Sequence, residues 1–272
     1  MAFHFSPTLI AAWLFAVVLM IVYPLALATF THRRLKVGWR YFGYGALVFL
    51  VAQVILRIPM LTVLGLLVGP ALAKSTAIQL GWGLFLAITA GIFEEVGRYL
   101  GYRWLMRREE KTWNKAVMYG LGHGGFEAIV LVAVSSLATL VTLLTLSQAT
   151  LQSMPPAQHA ALVAEATSLT SGPAWLPLLA AWERIWTVAI QVANSVLVLQ
   201  VFRRGRIYWL WLAILDHGIV DFVSPVLVPK LGLSPVTTTL VSEACVAIFG
   251  LVAIWITFRL RKSGKSGEHS PA

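Results

Sequence analysis

The sequence predicts an all-α protein, a polytopic membrane bundle of about seven transmembrane helices, and three observations carry that prediction. Hydrophobic residues make up 58% of the 272 and charged residues 12%, against about 45–50% and about 25% in a soluble domain. The mean hydropathy is +0.79. The apolar residues gather into seven runs, each of the roughly 20 residues that a helix needs to cross a bilayer core, and no length is left for a soluble domain.

The runs follow in order. The first is 9–30; Met1 to Thr8 lacks the basic segment of a cleavable signal peptide and the positive charges follow the run, so this span is expected to stay. Runs 41–68, 77–105 and 116–146 come next. The outer linker 147–172 then carries an Ala-rich stretch, 159–167, suited to a short surface helix. Runs 174–202, 207–228 and 235–258 complete the set. The expected organisation is a single transmembrane helical domain, 1–262, with a disordered cytoplasmic tail, 263–272.

Charge sorts by side. Linker 31–40 holds Arg33, Arg34, Lys36 and Arg40, and linker 106–115 holds Arg107, Arg108, Lys111 and Lys115. The turn after the fifth run adds Arg203, Arg204 and Arg206, and the tail adds Arg259, Arg261, Lys262 and Lys265. Fifteen of the 21 basic residues thus lie on alternate linkers, whereas the opposite linkers hold Lys74 and Lys230. The positive-inside bias and the odd number of spans place the N-terminus outside and the C-terminus in the cytoplasm, in a multi-pass protein of a bacterial plasma membrane. The net charge of +10 therefore points to membrane orientation and anionic lipid, and no nucleic-acid partner is expected. Cys245 is the one cysteine, which excludes an intramolecular disulfide and a Cys-based metal site.

The acids are in the wrong place for a membrane protein without a site. Seven of the 11 lie inside the runs, where an ionisable group costs about 2.5–3.5 kcal/mol even on the lenient insertion scale. Arg57, Glu183, Arg184 and Glu243, in the outer halves, balance one another and read as a structural ion-pair network, with Arg57 also free to snorkel outward ahead of Pro59. The inner group does not balance. Glu94, Glu95, Glu127, Asp216 and Asp221 share a layer roughly 12–22 Å from the expected cytoplasmic helix ends with Arg98, His123 and His217. Five potential negative charges against one arginine require protonated acids, charged histidines, a bound cation or water.

Spacing organises that layer. His123 and Glu127 are i, i+4, as are His217 and Asp221, so each pair lies on one helix face. Arg98 is i+4 from Glu94 and i+3 from Glu95, and can hold one while leaving the other. Such a set can activate a water or bind a divalent metal such as zinc through His123, His217, Glu95 and Asp221. A metal-bound and a metal-free site both remain open at this point. The glycines around His123, at 120, 122, 124 and 125, read first as close helix packing.

Glu94-Glu95-Val96-Gly97-Arg98-Tyr99, Gly122-His123-Gly124-Gly125-Phe126-Glu127, Glu183-Arg184 and His217-Gly218-Ile219-Val220-Asp221 together resemble the YhfC family of glutamic-type intramembrane proteases. That family is similar to the PrsW group and, more distantly, to the CAAX prenyl endopeptidases and CPBP proteins. The resemblance covers most of the chain and implies a peptide-bond hydrolase. Glu94 or Glu95 would be the general base, and His123 and His217 would hold the water or stabilise the oxyanion. Glu127 would orient His123, Asp221 would orient His217, and Arg98 would fix the non-catalytic glutamate. Two residues separate the glutamates from the arginine here, against three in the CAAX-type motif. Gln191 stands where YhfC-like sequences tend to carry a further histidine.

The leading expectation is an intramembrane endopeptidase acting on a hydrophobic or membrane-anchored peptide. The alternatives are a proton- or cation-coupled transporter using the same acids as a relay, and a non-catalytic scaffold that binds membrane peptides, motivated by Gln191. A retinal protein lacks its lysine in run 235–258, and no Gly-rich nucleotide loop is present in the required context.

Overall fold

The structure is a computed structural model and describes Phe3 and residues 5–72 and 74–262; the predicted tail, 263–272, lies outside the described residues. Among the described residues all regular structure is helical, and seven helices are long and apolar enough to cross a membrane. They are Pro7–Leu35, Arg40–Leu72, Thr76–Trp104, Trp113–Thr145, Leu178–Arg204, Tyr208–Leu231 and Pro235–Arg261, here spans one to seven. Their outward faces carry large apolar side chains such as Leu66, Trp211 and Ile248, the arrangement lipid favours and water does not.

Local chemistry sets the boundaries. Ser75 caps span three by accepting the Ile78 N–H, and Thr112 caps span four by accepting that of Lys115. Span five starts at Leu178, four residues later than its apolar run, because 173–177 is bracketed by Pro173 and Pro177 and folds as i→i+3 turns, Leu176 N–H to Pro173 O at 3.0 Å. The Ala-rich outer stretch forms a longer helix than predicted, Pro156–Ser171, with Pro156 in its first turn.

Three spans widen into π-helical turns: span two over Leu50–Arg57, span four over Glu127–Ala133 and span six over Val223–Leu227. A π turn accommodates an extra residue and re-aims the side chains at its ends, and such turns concentrate at functional sites. Here they end at Arg57, begin at Glu127, and begin two residues after Asp221.

The chain divides into two compact units, residues 1–23 with 128–185, and 24–127 with 186–272. The first has an apolar core of Trp13, Val17, Met20, Leu140, Leu143 and Ala181, with the Trp13 indole N–H donating to Ser136 Oγ at 2.6 Å. In the second, span two packs on spans three and four, and span three packs on span six. Gly122 lies against the Phe42 backbone of span two with no room for a Cβ, and at Gly91 a Cβ would stand 2.6 Å from Ile214 O of span six. Glycine at these positions lets helices meet backbone to backbone.

Candidate active site

The second unit brings together side chains from spans three, four, five and six. Glu94, Glu95 and Arg98 come from span three, His123 and Glu127 from span four, Gln191 from span five, and His217 and Asp221 from span six. Glycine packing positions span four against span five: a Cβ on Gly120 would lie 2.6 Å from Val192 Cα, and one on Gly124 2.9 Å from Gln191 Cβ. The close approach carries the Gln191 amide in among the acids.

The two consecutive glutamates face different partners. Glu95 is fully buried; its Oε2 pairs with Arg98 Nη1 at 3.2 Å and its Oε1 lies 2.9 Å from His217 Nδ1. Arg98, also fully buried, donates further to Gln191 O at 3.1 Å and Gln191 Oε1 at 2.5 Å. Glu94 Oε2 instead receives two donors, His123 Nε2 at 2.9 Å and Gln191 Nε2 at 3.2 Å. No hydrogen bond occupies its Oε1 among the described residues. His217 Nε2 stands 3.8 Å from Glu94 Oε2 and 3.6 Å from Asp221 Oδ2, beyond hydrogen-bond reach of either.

Several expected roles move to other residues. Glu127 does not hold His123: it accepts the Gln191 amide at 2.9 Å, while His123 is oriented by Glu94 and by an edge-on contact with the Phe49 ring. The backbone between them is ordinary α-helix, with the Glu127 N–H on His123 O; contacts from neighbouring helices separate the pair, Gln191 drawing Glu127 and Glu94 drawing the His123 ring. Asp221 does not fix His217 by a hydrogen bond either; Glu95 does, and the Asp221 side chain is 41% exposed. Arg98 does pair with Glu95 as its i+3 spacing allows. Asp216 is half-buried and joins no hydrogen bond or ion pair among the described residues.

Arg57 belongs here and not to the outer network expected of it, nor does it snorkel. Its buried guanidinium donates to Gln53 Oε1 at 3.1 Å, Leu86 O at 2.6 Å and Thr89 Oγ1 at 3.3 Å, close enough to Glu94 and Asp221 to feel both charges. Neutral acceptors on spans two and three, and the π turn that ends at Arg57, turn it inward. In the other unit Glu183 and Arg184 pair with each other. Gln191 is the site residue that spacing arguments missed as a participant. Its signal was the polar face Gln191, Asn194, Ser195 at i, i+3, i+4 in an otherwise apolar span, all three buried.

A family profile described as YhfC intramembrane metalloprotease matches residues 17–246. An uncharacterized membrane protein, YhfC of Bacillus subtilis (strain 168), is 30% identical over 200 residues, 73% of this chain and 77% of the relative. No solved structure matches the chain. The profile's description implies a metal, and the donor arrangement does not fit one. A metal-bearing imidazole gives its second N–H to a partner; His217 has one in Glu95, but His123 Nδ1 is buried with no hydrogen-bond partner. A metal on His123 Nε2 would strand that N–H at about 1–3 kcal/mol. Glu95 stands behind His217 and does not face a point shared with His123 and Asp221, and no group of three or more His, Cys, Asp and Glu among the described residues is placed to hold an ion.

Proposed function

The chain belongs to the YhfC intramembrane metalloprotease family, and from that premise we propose that it hydrolyses a peptide bond of a hydrophobic or membrane-anchored peptide, using a water activated by Glu94. It is a multi-pass membrane protein, and the basic linkers support a reacting layer in the cytoplasmic half of the bilayer. The observation that carries the reading is the asymmetry of the glutamate pair. Glu95 is buried with one oxygen hydrogen-bonded to His217 and the other ion-paired, without a hydrogen bond, to Arg98, whereas Glu94 is anchored through Oε2 alone and its Oε1 has no ion-pair partner among the described residues.

Amide hydrolysis needs a nucleophilic water, a donor for the developing oxyanion and a proton for the leaving amine. Glu94 Oε1 takes a proton from the water as its oxygen bonds to the carbonyl carbon. His123 Nε2–H and the Gln191 amide stay on Oε2 and fix the plane of the carboxylate. With both ring nitrogens protonated, His217 donates through Nδ1 to Glu95, which sets the ring's orientation, and through Nε2 into the space beside Glu94 and Asp221, where the carbonyl oxygen gains its charge. When the C–N bond breaks, the proton held by Glu94 passes to the departing nitrogen. Glu95 and Arg98 are positioning residues in this scheme.

The test is purified full-length protein in lipid nanodiscs on a library of hydrophobic peptides, with product N-termini sequenced. Glu94→Gln is expected to remove product while Glu95→Gln retains part of it. Equal turnover by Glu94→Gln and the parent protein overturns the mechanism.

A further inference from the structure

The turn between spans one and two meets the start of span four around a concavity of about 340 Å³. Lys36, Arg40, Tyr41, Thr112, Asn114 and Lys115 line it. Three cations there face one carboxylate: Glu109, outside the lining, pairs with Arg40 Nη2 at 3.2 Å and Lys115 Nζ at 3.4 Å, and also contacts the Tyr41 hydroxyl. Two positive charges are left over. Among the described residues the Lys36 ammonium and the Asn114 amide have no hydrogen-bond or ion-pair partner. The Thr112 oxygen accepts the Lys115 N–H, which leaves its own proton to donate. The first turns of spans two and four open beside the same residues, although the Tyr41 N–H is taken by Gly38 O and that of Lys115 by Thr112, so the free donors are side chains.

The backbone singles out Lys36. It has φ of +51°, and the other positive-φ residues among those described are Gly205 and Gly232. Glycine is the residue that this conformation favours, and the chain does have one two positions on, at Gly38, with an ordinary φ. The turn is held instead by His32 Nδ1, which donates to Val37 O at 2.7 Å, with Val37 buried. A strained lysine with a free ammonium over a donor-lined hollow suits an anion better than it suits a connector.

The depth of the hollow identifies the source of that anion. Span one ends at Leu35 and span two starts at Arg40, so the hollow sits where helix ends meet headgroups. Trp39, 41% exposed beside it, is the residue type that settles at that level. We propose that this hollow binds a phosphate group, that of an anionic lipid headgroup, with Lys36, Asn114 and Thr112 as its free donors and Arg40 and Lys115 as the supporting charges.

The probe is phosphatidylglycerol added to full-length protein in neutral detergent, with bound lipid counted by native mass spectrometry; phosphatidylcholine and inorganic phosphate are the comparison arms. Lys36→Gly removes the charge at a position whose φ glycine accepts, so folding is preserved, and Lys36→Arg restores the charge. One phosphatidylglycerol is expected to be retained by the parent and by Lys36→Arg, with at least tenfold weaker retention in Lys36→Gly and in the phosphatidylcholine arm. Unchanged retention in Lys36→Gly overturns the site. Displacement of the lipid by inorganic phosphate at equal concentration overturns the lipid assignment and leaves a free-phosphate site.

Discussion

Around Glu95 the charges close on themselves: a fully buried carboxylate has a fully buried guanidinium on one oxygen and an imidazole N–H on the other. Around Glu94, one residue earlier, the pairing stops halfway, with two donors on Oε2, none on Oε1, and His217 Nε2 held 3.8 Å away. The two corners share a helix, a depth and the residue type. What separates them is the direction of Arg98, whose i+3 approach commits it to Glu95. A neutral amide, Gln191, then serves Glu94 where a second cation would have tied that carboxylate off as well. Residue type alone therefore does not assign a role in this layer; what the second oxygen of each carboxylate faces does, a buried guanidinium for Glu95 and, among the described residues, no ion-pair partner for Glu94.

The comparison is broken most directly by exchanging the two acids for amides one at a time. Glu94→Gln is expected to lower turnover by about 10²–10⁴-fold, the usual contribution of a positioned base, with the unfolding free energy changed by no more than about 1 kcal/mol. Glu95→Gln should show the opposite balance, a larger loss of stability and a smaller loss of rate. Paired kinetic and denaturation measurements decide it, and the same profile for both variants would make the corners equivalent.

Arg98→Met comes next in size. It leaves the buried Glu95 carboxylate with His217 as its one remaining partner and strips Gln191 of its donor, and the expected cost is about 3–5 kcal/mol. Chemical denaturation in detergent should show it. A variant as stable as the parent would mean that Glu95 is held by His217 alone.

Much of this was legible in the sequence. Hydropathy marked all seven spans because the bilayer requirement is a matter of length and apolarity, and both are local. The participants Glu94, Glu95, Arg98, His123 and His217 stood out because ionisable groups are costly in apolar runs. The pairing within the set was not legible. It was read from i, i+4 spacing within single helices, whereas the hydrogen bonds that fix the two histidines cross between helices. Arg57 was misplaced for the same reason, its guanidinium being held by Leu86 O and Thr89 Oγ1 of span three. Gln191 carries no charge, so the argument from cost passed over it as a participant, although its amide touches both Glu94 and Glu127.

Gln191→Leu sharpens the comparison with a smaller effect. Removing the amide leaves Glu94 one donor short, Glu127 without its Gln191 contact and an Arg98 N–H without its acceptor, at about 1–3 kcal/mol. If the amide fixes the Glu94 plane, the rate falls more than the stability change accounts for. Gln191→Glu adds a fourth carboxylate to the neighbourhood of Glu94, Glu95 and Glu127, and should be the more damaging of the two by both measures.

The smallest expected effect lies outside the spans, at Glu109, which has the partners of a site acid within reach of water. Burial pushes this carboxyl up, and the Tyr41 hydroxyl, Arg40 and Lys115 together more than offset it, so its pKa lies below the ordinary glutamate value. A depressed folded pKa means that the stabilisation is fully present above the unfolded value, about 4.3, and is lost as pH falls through the folded one. The unfolding midpoint of the parent should therefore drop more steeply below about pH 4.3 than that of Glu109→Gln, and by less in high salt, which screens exposed pairs. Equal slopes would show that Glu109 is held no more tightly when folded than when unfolded. A carboxylate with a hydroxyl and two cations on one oxygen would then owe its position to packing alone.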